Sequence, residues 1–514
     1  YGSRAMGGVI NIRTRKPSQQ PIAFAASAGY HTATDGHRES MVASGTQGDW
    51  SYLFAGSNTE DQDRRIPGGT LSDTSHESSN FLGRVGWNRE NHTFQLLYDT
   101  YKLSSEANTR DDLVDGFVIS KFRLDLPRRD RERIGLLYEG VDLGPQLDRL
   151  KIDAFRQFND RTIVQEIAGV VLPMTTPPSF YDYLNEDKDT IDTRGVNLQT
   201  DWDFLPGHTT IAGFNYLEDQ LDKILERTGS LRKGPLQTPV KAELDTDAFI
   251  RTEAVYLNNQ WELNPQWQLN AGIRHYRVRS GLEASNDPNL TVGGNRDSHT
   301  IGSASLVYAP DDSSAFRFAW SEGYVYPTLL HLHTGSLFGQ GNLTRPNPFL
   351  KPETSTNYEI GYRLQRGAVT LDLALFGTES QNYIASVRAS TVPELGWAPT
   401  ENTYTNLDTA SARGVEIDFE YRPENSDLSG YLRGTWLRRR QNYASFSTYD
   451  NGQPEMVGKV GLRYFRKVRE LVFIHLDGNL AAGSEAELES TRSTRATSSW
   501  HTVNLSLGIT FTGK

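Results

Sequence analysis

Between Pro21 and Phe511 one unit recurs along this chain: about ten residues with an apolar side chain at every second position, then a polar gap of variable length. Trp50, Tyr52 and Phe54 form one such row, Phe94, Leu96 and Tyr98 another, and Leu371, Leu373 and Leu375 a third. The longest closes the pattern with Val503, Leu505, Leu507, Ile509 and Phe511. A period of two places alternate side chains on opposite faces of a strand, and the facing positions are mostly Gln, Asn, Asp, Arg and Gly. No helical stripe competes with this pattern. No apolar run approaches the ~20 residues that a membrane helix requires. A mean hydropathy of −0.56 therefore excludes a helical membrane protein but not a membrane barrel, whose strands show lipid only every second residue.

A large soluble all-β protein is the competing explanation. Propellers and sandwiches favour short strands at regular spacing, and propellers add a blade repeat. Here there is no fixed repeat, and aromatic residues gather at the ends of the apolar rows, where a membrane interface would place them. The expected fold is thus an all-β, large transmembrane antiparallel β-barrel. The gaps agree with it. Asn88–Asn91 and Asn264–Gln266 are tight turns, whereas 58–78, 107–115, 170–192, 219–247, 280–298, 328–352, 380–411, 438–455 and 482–498 read as long polar loops. Such barrels keep short turns on one side of the membrane and long loops on the other. The chain has no Cys, which removes disulfides and thiolate metal sites and suits an envelope protein. A net charge of −11 argues against nucleic acid as a partner.

Several segments carry a family resemblance. Tyr1 to Pro17, YGSRAMGGVINIRTRKP, closely resembles the end of the plug domain of TonB-dependent outer-membrane receptors, which runs YGSxAxGGVINIxTKxP. Ser321–Leu330, SEGYVYPTLL, resembles the family's SxGFRAPTL box, and Asn347–Tyr362, NPFLKPETSTNYEIGY, its NPDLKPETSxxYEIG box. Ala412–Glu416 matches a barrel motif in which glycine precedes Val-Glu, and Gln260–Arg274 resembles the recurrent Q-W-x-L…L-x-x-G-I-R pair. The resemblance implies two parts: residues 1–17 as the C-terminal end of a plug, and residues 18–514 as a barrel of about 22 strands. It further implies residence in the bacterial outer membrane, a monomeric receptor, contact with outer-membrane lipid and lipopolysaccharide, and a TonB partner engaged through plug sequence upstream of Tyr1. On this reading the chain is a piece that lacks its leader, its TonB-contacting segment and most of its plug. One departure lies at the end. The family usually finishes on an aromatic residue, whereas Phe511 is followed by Thr512, Gly513 and Lys514, read as a short extension.

Enzyme motifs are missing: there is no GxSxG, HExxH, P-loop or CxxC, and the expected protein is not an enzyme and holds no catalytic residue. No metal site and no covalently bound cofactor is expected. The most notable polar pair is His331 and His333. In a strand both imidazoles would face one side and could meet one ligand, and a neutral imidazole suits haem iron or another transition metal. The haem receptors of the resembled family carry a functional His between boxes matching 324–329 and 347–350, where this pair lies. Solvated loop histidines are the bland alternative. Tyr324, Tyr326, Arg388, Trp397 and Tyr404 lie in or near the long loops and are candidates to hold a bulky, often anionic ferric siderophore through aromatic faces and hydrogen-bond donors. For Tyr324 and Tyr326, membership of the aromatic girdle is the competing assignment. The basic clusters Arg128–Arg133 and Arg438–Arg440 suit lipopolysaccharide phosphates or the lumen wall, and Asp311–Asp312 lacks the spacing of a calcium loop.

The expected function is TonB-dependent import of an iron chelate, a ferric siderophore first and haem second. A passive channel and an adhesion surface are the alternatives from other classes, and neither would need a plug.

Overall fold

The computed structural model of the protein describes residues 4–5, 14–109, 118–171, 176–337, 343–397, 401–407, 409–443, 446–449, 452–469, 472–489 and 494–511. One antiparallel sheet of 22 segments dominates it, consistent with the large barrel expected. Two of those segments are dipeptides, Arg4–Ala5 against Tyr324–Val325 and Ser447–Thr448 against 441–442, so twenty long strands make the wall. In chain order the first ten are β1 (Ala23–His31), β2 (Gly36–Gln47), β3 (Trp50–Asp61), β4 (His76–Arg89), β5 (His92–Ala107), β6 (Ile119–Val141), β7 (Leu147–Val170), β8 (Ser179–Leu205), β9 (His208–Lys233) and β10 (Leu236–Asn264). They continue as β11 (Trp267–Ser285), β12 (Gly293–Asp311), β13 (Ser314–Val325), β14 (Glu353–Arg366), β15 (Val369–Gln381), β16 (Thr409–Tyr421), β17 (Leu428–Asn442), β18 (Met456–Arg469), β19 (Val472–Gly483) and β20 (Trp500–Phe511). Each pairs with its sequence neighbours, an up-and-down wall. Among the described residues β1 pairs only with β2, and β20 only with β19. Leu505 on β20 is accordingly 86% exposed.

The alternation read from the sequence sets the two faces. Val255 and Leu257 on β10 are exposed, while Ala248, Ile250 and Ala254, of opposite parity, are buried. The first set faces outward and the second faces the lumen. At the short-turn end, rings meet across strands: Trp267 stacks on Tyr308 at 4.4 Å between centroids, and Phe316 packs at a tilt against Tyr362 at 4.8 Å. This is the arrangement of an interfacial girdle. The tight turns fall where expected. Asn264 Oδ1 accepts from the backbone N–H groups of Gln266 and Trp267, an Asx turn that reverses the chain between β10 and β11.

The long loops differ from expectation. Three of the gaps, 170–192, 219–247 and 280–298, are mostly strand. β8 has 27 residues and β10 has 29, where a barrel strand needs about 9–11 to cross a membrane. The strands continue well beyond the bilayer because their polar side chains pair across the ladder. Asn185 Nδ2 donates to Gln165 Oε1 at 3.0 Å, both residues fully buried. Lys223 on β9 is paired with Asp187 and with Asp189, the latter at 3.0 Å, and Arg161 on β7 is paired with Asp189. A polar stretch whose groups find such partners supports sheet as well as an apolar one.

The buried apolar cluster is confined to one part of the wall. It lies on the lumen face of β9–β11, where Leu221, Ile250, Tyr276, Val278 and Leu282 meet Tyr324, Tyr326, Leu329, Leu332 and Leu350. The last four belong to the segment joining β13 to β14. That segment folds back onto the wall instead of projecting away from it.

Residues 1–3, 6–13 and 512–514 lie outside the described residues, and with them most of the plug-like segment and the terminal extension.

Candidate functional site

After Val325 the chain leaves the sheet through Tyr326 and Pro327 and winds into a one-turn π-helix, Leu330–Thr334. Thr328 starts the turn by accepting the Leu332 N–H on its carbonyl oxygen. Gly335 ends it at φ 66°, and a Cβ there would sit 2.3 Å from the Thr344 carbonyl oxygen, so only glycine fits. Leu329 and Leu332 are driven onto the inner wall by their apolar side chains. This helical geometry corrects the expectation for the histidine pair. In a strand His331 and His333 would share a face, but in the helix they point to different surroundings.

His333 is 5% exposed. Its Nε2 is hydrogen-bonded to Ser280 Oγ at 3.1 Å, and that hydroxyl shares a second hydrogen bond with Tyr326 OH at 3.1 Å. Burial holds the His333 imidazole down at about 4, and pushes His331 below its ordinary range, so both are neutral at neutral pH. His331 lies against the Tyr404 ring, 4.6 Å between centroids. Tyr324 and Tyr326 are also corrected. They belong neither to the girdle nor to an open loop surface, because both are buried on the lumen side. Tyr324 stacks on Tyr276 and on His299, at 5.2 and 4.9 Å, and its hydroxyl donates to Asp297 Oδ2 at 2.6 Å.

The connection between β15 and β16 closes over this segment. Ile384–Arg388 and Asn402–Asn406 form a hairpin, and Asn402–Thr403 run parallel to Thr344–Arg345, joining the two connections in one small four-stranded sheet. Side chains complete the link. Asn347 Nδ2 donates to the Tyr404 carbonyl at 2.9 Å, and Trp397 Nε1 to that of Pro346 at 3.2 Å. Arg345 donates to Glu401 through Nε and a terminal nitrogen, at 3.1 and 2.9 Å, and reaches Asp287 at 3.3 Å. Its guanidinium stacks over Trp397, 5.2 Å from the centroid. Arg388 sits in the hairpin opposite Asn402, half-buried.

The seven predicted residues thus fall in or beside one unit built from two loops. His333 and Tyr326 share Ser280, His331 meets Tyr404, and Trp397 covers Arg345. Tyr324 holds the edge of the wall beside them. Sequence reasoning passed over Arg345, Ser280, Asp287 and Asn347, and also Arg227 and Tyr183 on the neighbouring wall. The NPFL box that contains Asn347 was the one available signal. The unit can present aromatic faces and hydrogen-bond donors on a rigid base, which is binding chemistry.

Residues 26–514 match the family described as TonB dependent receptor-like, beta-barrel. The vitamin B12 transporter BtuB of Vibrio vulnificus (strain YJ016) is 30% identical over 166 residues, which cover 29% of this chain and 24% of that relative's length. Among solved structures, the copper transporter OprC superposes with a TM-score of 0.72 at 12% identity, over 96% of this chain and 72% of that one. The siderophore receptor PiuA from Acinetobacter baumannii gives 0.68 at 14% identity, over 96% and 75%. The ferric yersiniabactin uptake receptor FyuA from Yersinia pestis gives 0.65 at 14%, over 96% and 73%. At these identities the structural likeness is one of fold.

Proposed function

The chain belongs to the TonB-dependent receptor family, and from that premise we propose that it imports a ferric siderophore across the bacterial outer membrane, powered by TonB acting through the plug. Members of this family are transporters and not enzymes, and their barrels reside in the outer membrane. The observation that carries the cargo reading is the two-loop unit. It holds Trp397 and Tyr404 on a sheet anchored to the lumen wall, with Trp397 packed on Arg345, which suits a bulky chelate with aromatic parts. Relatives in fold that are described as siderophore receptors support the same choice. Ligand contact with the unit would shift the order of the plug and expose its periplasmic segment, a transition of the order–disorder kind. A monomeric receptor seated among lipopolysaccharide is part of the same proposal.

Haem import is the second reading, and it is weakened at His333. The Nε2 of His333 is engaged by Ser280, which removes it as a ready axial ligand, while His331 lies tilted against the Tyr404 ring. The test is a titration of the intact receptor. Ferric siderophores are followed by tryptophan quenching, hemin is followed by its Soret band, and both are paired with uptake of radiolabelled iron in cells with and without TonB. The expected result is saturable siderophore binding and TonB-dependent uptake. A saturable Soret shift that His331→Ala/His333→Ala abolishes would overturn it in favour of haem.

A further inference from the structure

On the lumen face of β7–β10 the cross-strand neighbours form level rows, one of which runs Gln165, Asn185, Arg227, Ala242. The face is fixed by parity, since Asn185, Asp187 and Lys223 share it and are buried. Below this row the charges balance. Arg161 and Lys223 supply two cations, Asp187 and Asp189 two carboxylates, and all four are joined.

Arg227 has no such balance. Its Nε donates to Asn185 Oδ1 at 2.6 Å, and its guanidinium lies over the Tyr183 ring at 5.0 Å. Tyr183 is itself stacked on Tyr181 at 5.3 Å. Among the described residues no carboxylate lies within ion-pair distance of Arg227, and its terminal nitrogens hold no hydrogen bond. Burial is what most disfavours its charge, Tyr183 works the other way, and the Arg345 cation adds a smaller opposing effect. Arg345 is held by two carboxylates of its own, Asp287 and Glu401. A half-buried guanidinium with no carboxylate of its own costs free energy unless an anion joins it. A planar guanidinium with two free terminal nitrogens and an aromatic flank is well shaped to receive a carboxylate, catecholate or hydroxamate oxygen pair.

We propose that Arg227, flanked by Tyr183 and facing the Arg345–Trp397 edge of the two-loop unit, is a contact site for an anionic group of the cargo, so that the imported chelate carries net negative charge. The inference rests on the import reading above. It narrows the cargo to anionic chelates and excludes neutral and cationic ones.

The experiment titrates the intact receptor by tryptophan quenching with three ferric probes: a trianionic tris-catecholate, a neutral cyclic tris-hydroxamate and a cationic linear tris-hydroxamate. Arg227→Gln and Arg227→Lys are measured beside the native protein, with folding checked by heat-modifiable migration in SDS gels. The expected result is binding of the anionic probe alone, weakening as salt is raised. Arg227→Gln should weaken it at least tenfold and flatten the salt dependence, and Arg227→Lys should restore most of that dependence. A brace that merely supports Tyr183 and Asn185 would not change the salt dependence. Preference for the neutral or cationic probe, or an unchanged Kd in Arg227→Gln, overturns the inference and leaves the import reading standing. Failure of all three probes to bind overturns both.

Discussion

Lys223 offers the sharpest test of how this wall is held together beyond the membrane. Its side chain is 4% exposed, between Asp187 at 1% and Asp189 at 6%. Replacing it with Met removes the cation and leaves two buried carboxylates with different fates. Asp189 keeps Arg161. Asp187 is stranded, because its Oδ2 already has no hydrogen-bond partner. Breaking one side of a buried ion pair costs about 3–5 kcal/mol, most of it the uncompensated charge left behind. Lys223→Met should therefore raise the local opening equilibrium of β8 and β9 by roughly 150-fold or more. Adding Asp187→Asn removes the stranded charge and should recover most of the loss.

Hydrogen–deuterium exchange of the detergent-solubilised receptor reads this directly. The amides around 185–189 and 221–225 should accelerate in the single variant and slow again in the double variant. Those of β18 and β19, on a distant part of the sheet, should not move. A change of less than about fivefold in Lys223→Met, or a double variant worse than the single, would refute the reasoning. The pair would then behave like an exposed one, worth about 0–1 kcal/mol.

Two further outcomes follow from the re-entrant segment. The docked His333 imidazole is held down at about 4, whereas a released one titrates near 6.5; below about 6.5 the released form takes up a proton that the docked form refuses. Docking of 326–335 should therefore be at full strength above pH 6.5 and lose about 3 kcal/mol as pH falls to 4, seen as rising exchange or proteolysis there, and His333→Gln should remove most of that pH dependence. Gly335→Ala sets a Cβ against the Thr344 carbonyl at a positive φ, so it should cost at least about 1 kcal/mol and release the same segment at neutral pH, with the girdle and the barrel's heat-modifiability unchanged.

What could be read in advance, and what could not, separates along physical lines. The outward rows and the turn at Asn264 are local facts: a two-residue period and one side chain that bonds its own backbone. Both were legible. The upper wall was not, because a stretch such as Asn185-Glu186-Asp187-Lys188-Asp189 is indistinguishable from a solvated loop until Lys223 and Arg161 are placed beside it. The histidines failed for the same reason in another form. Their spacing was visible, but whether i and i+2 share a face depends on the backbone, and here apolar Leu329 and Leu332 anchor a helical turn on a wall that lies far upstream in sequence. His333 finds Ser280 across 53 residues. Arg227 is the extreme case, since among the described residues what sets it apart is the lack of a carboxylate partner, which no local pattern displays. In this architecture the lipid-facing half of the pattern answers to the bilayer and repeats, so a single sequence reveals it. The lumen-facing half answers only to partners brought in by the fold, so a single sequence cannot show which of its charges are balanced.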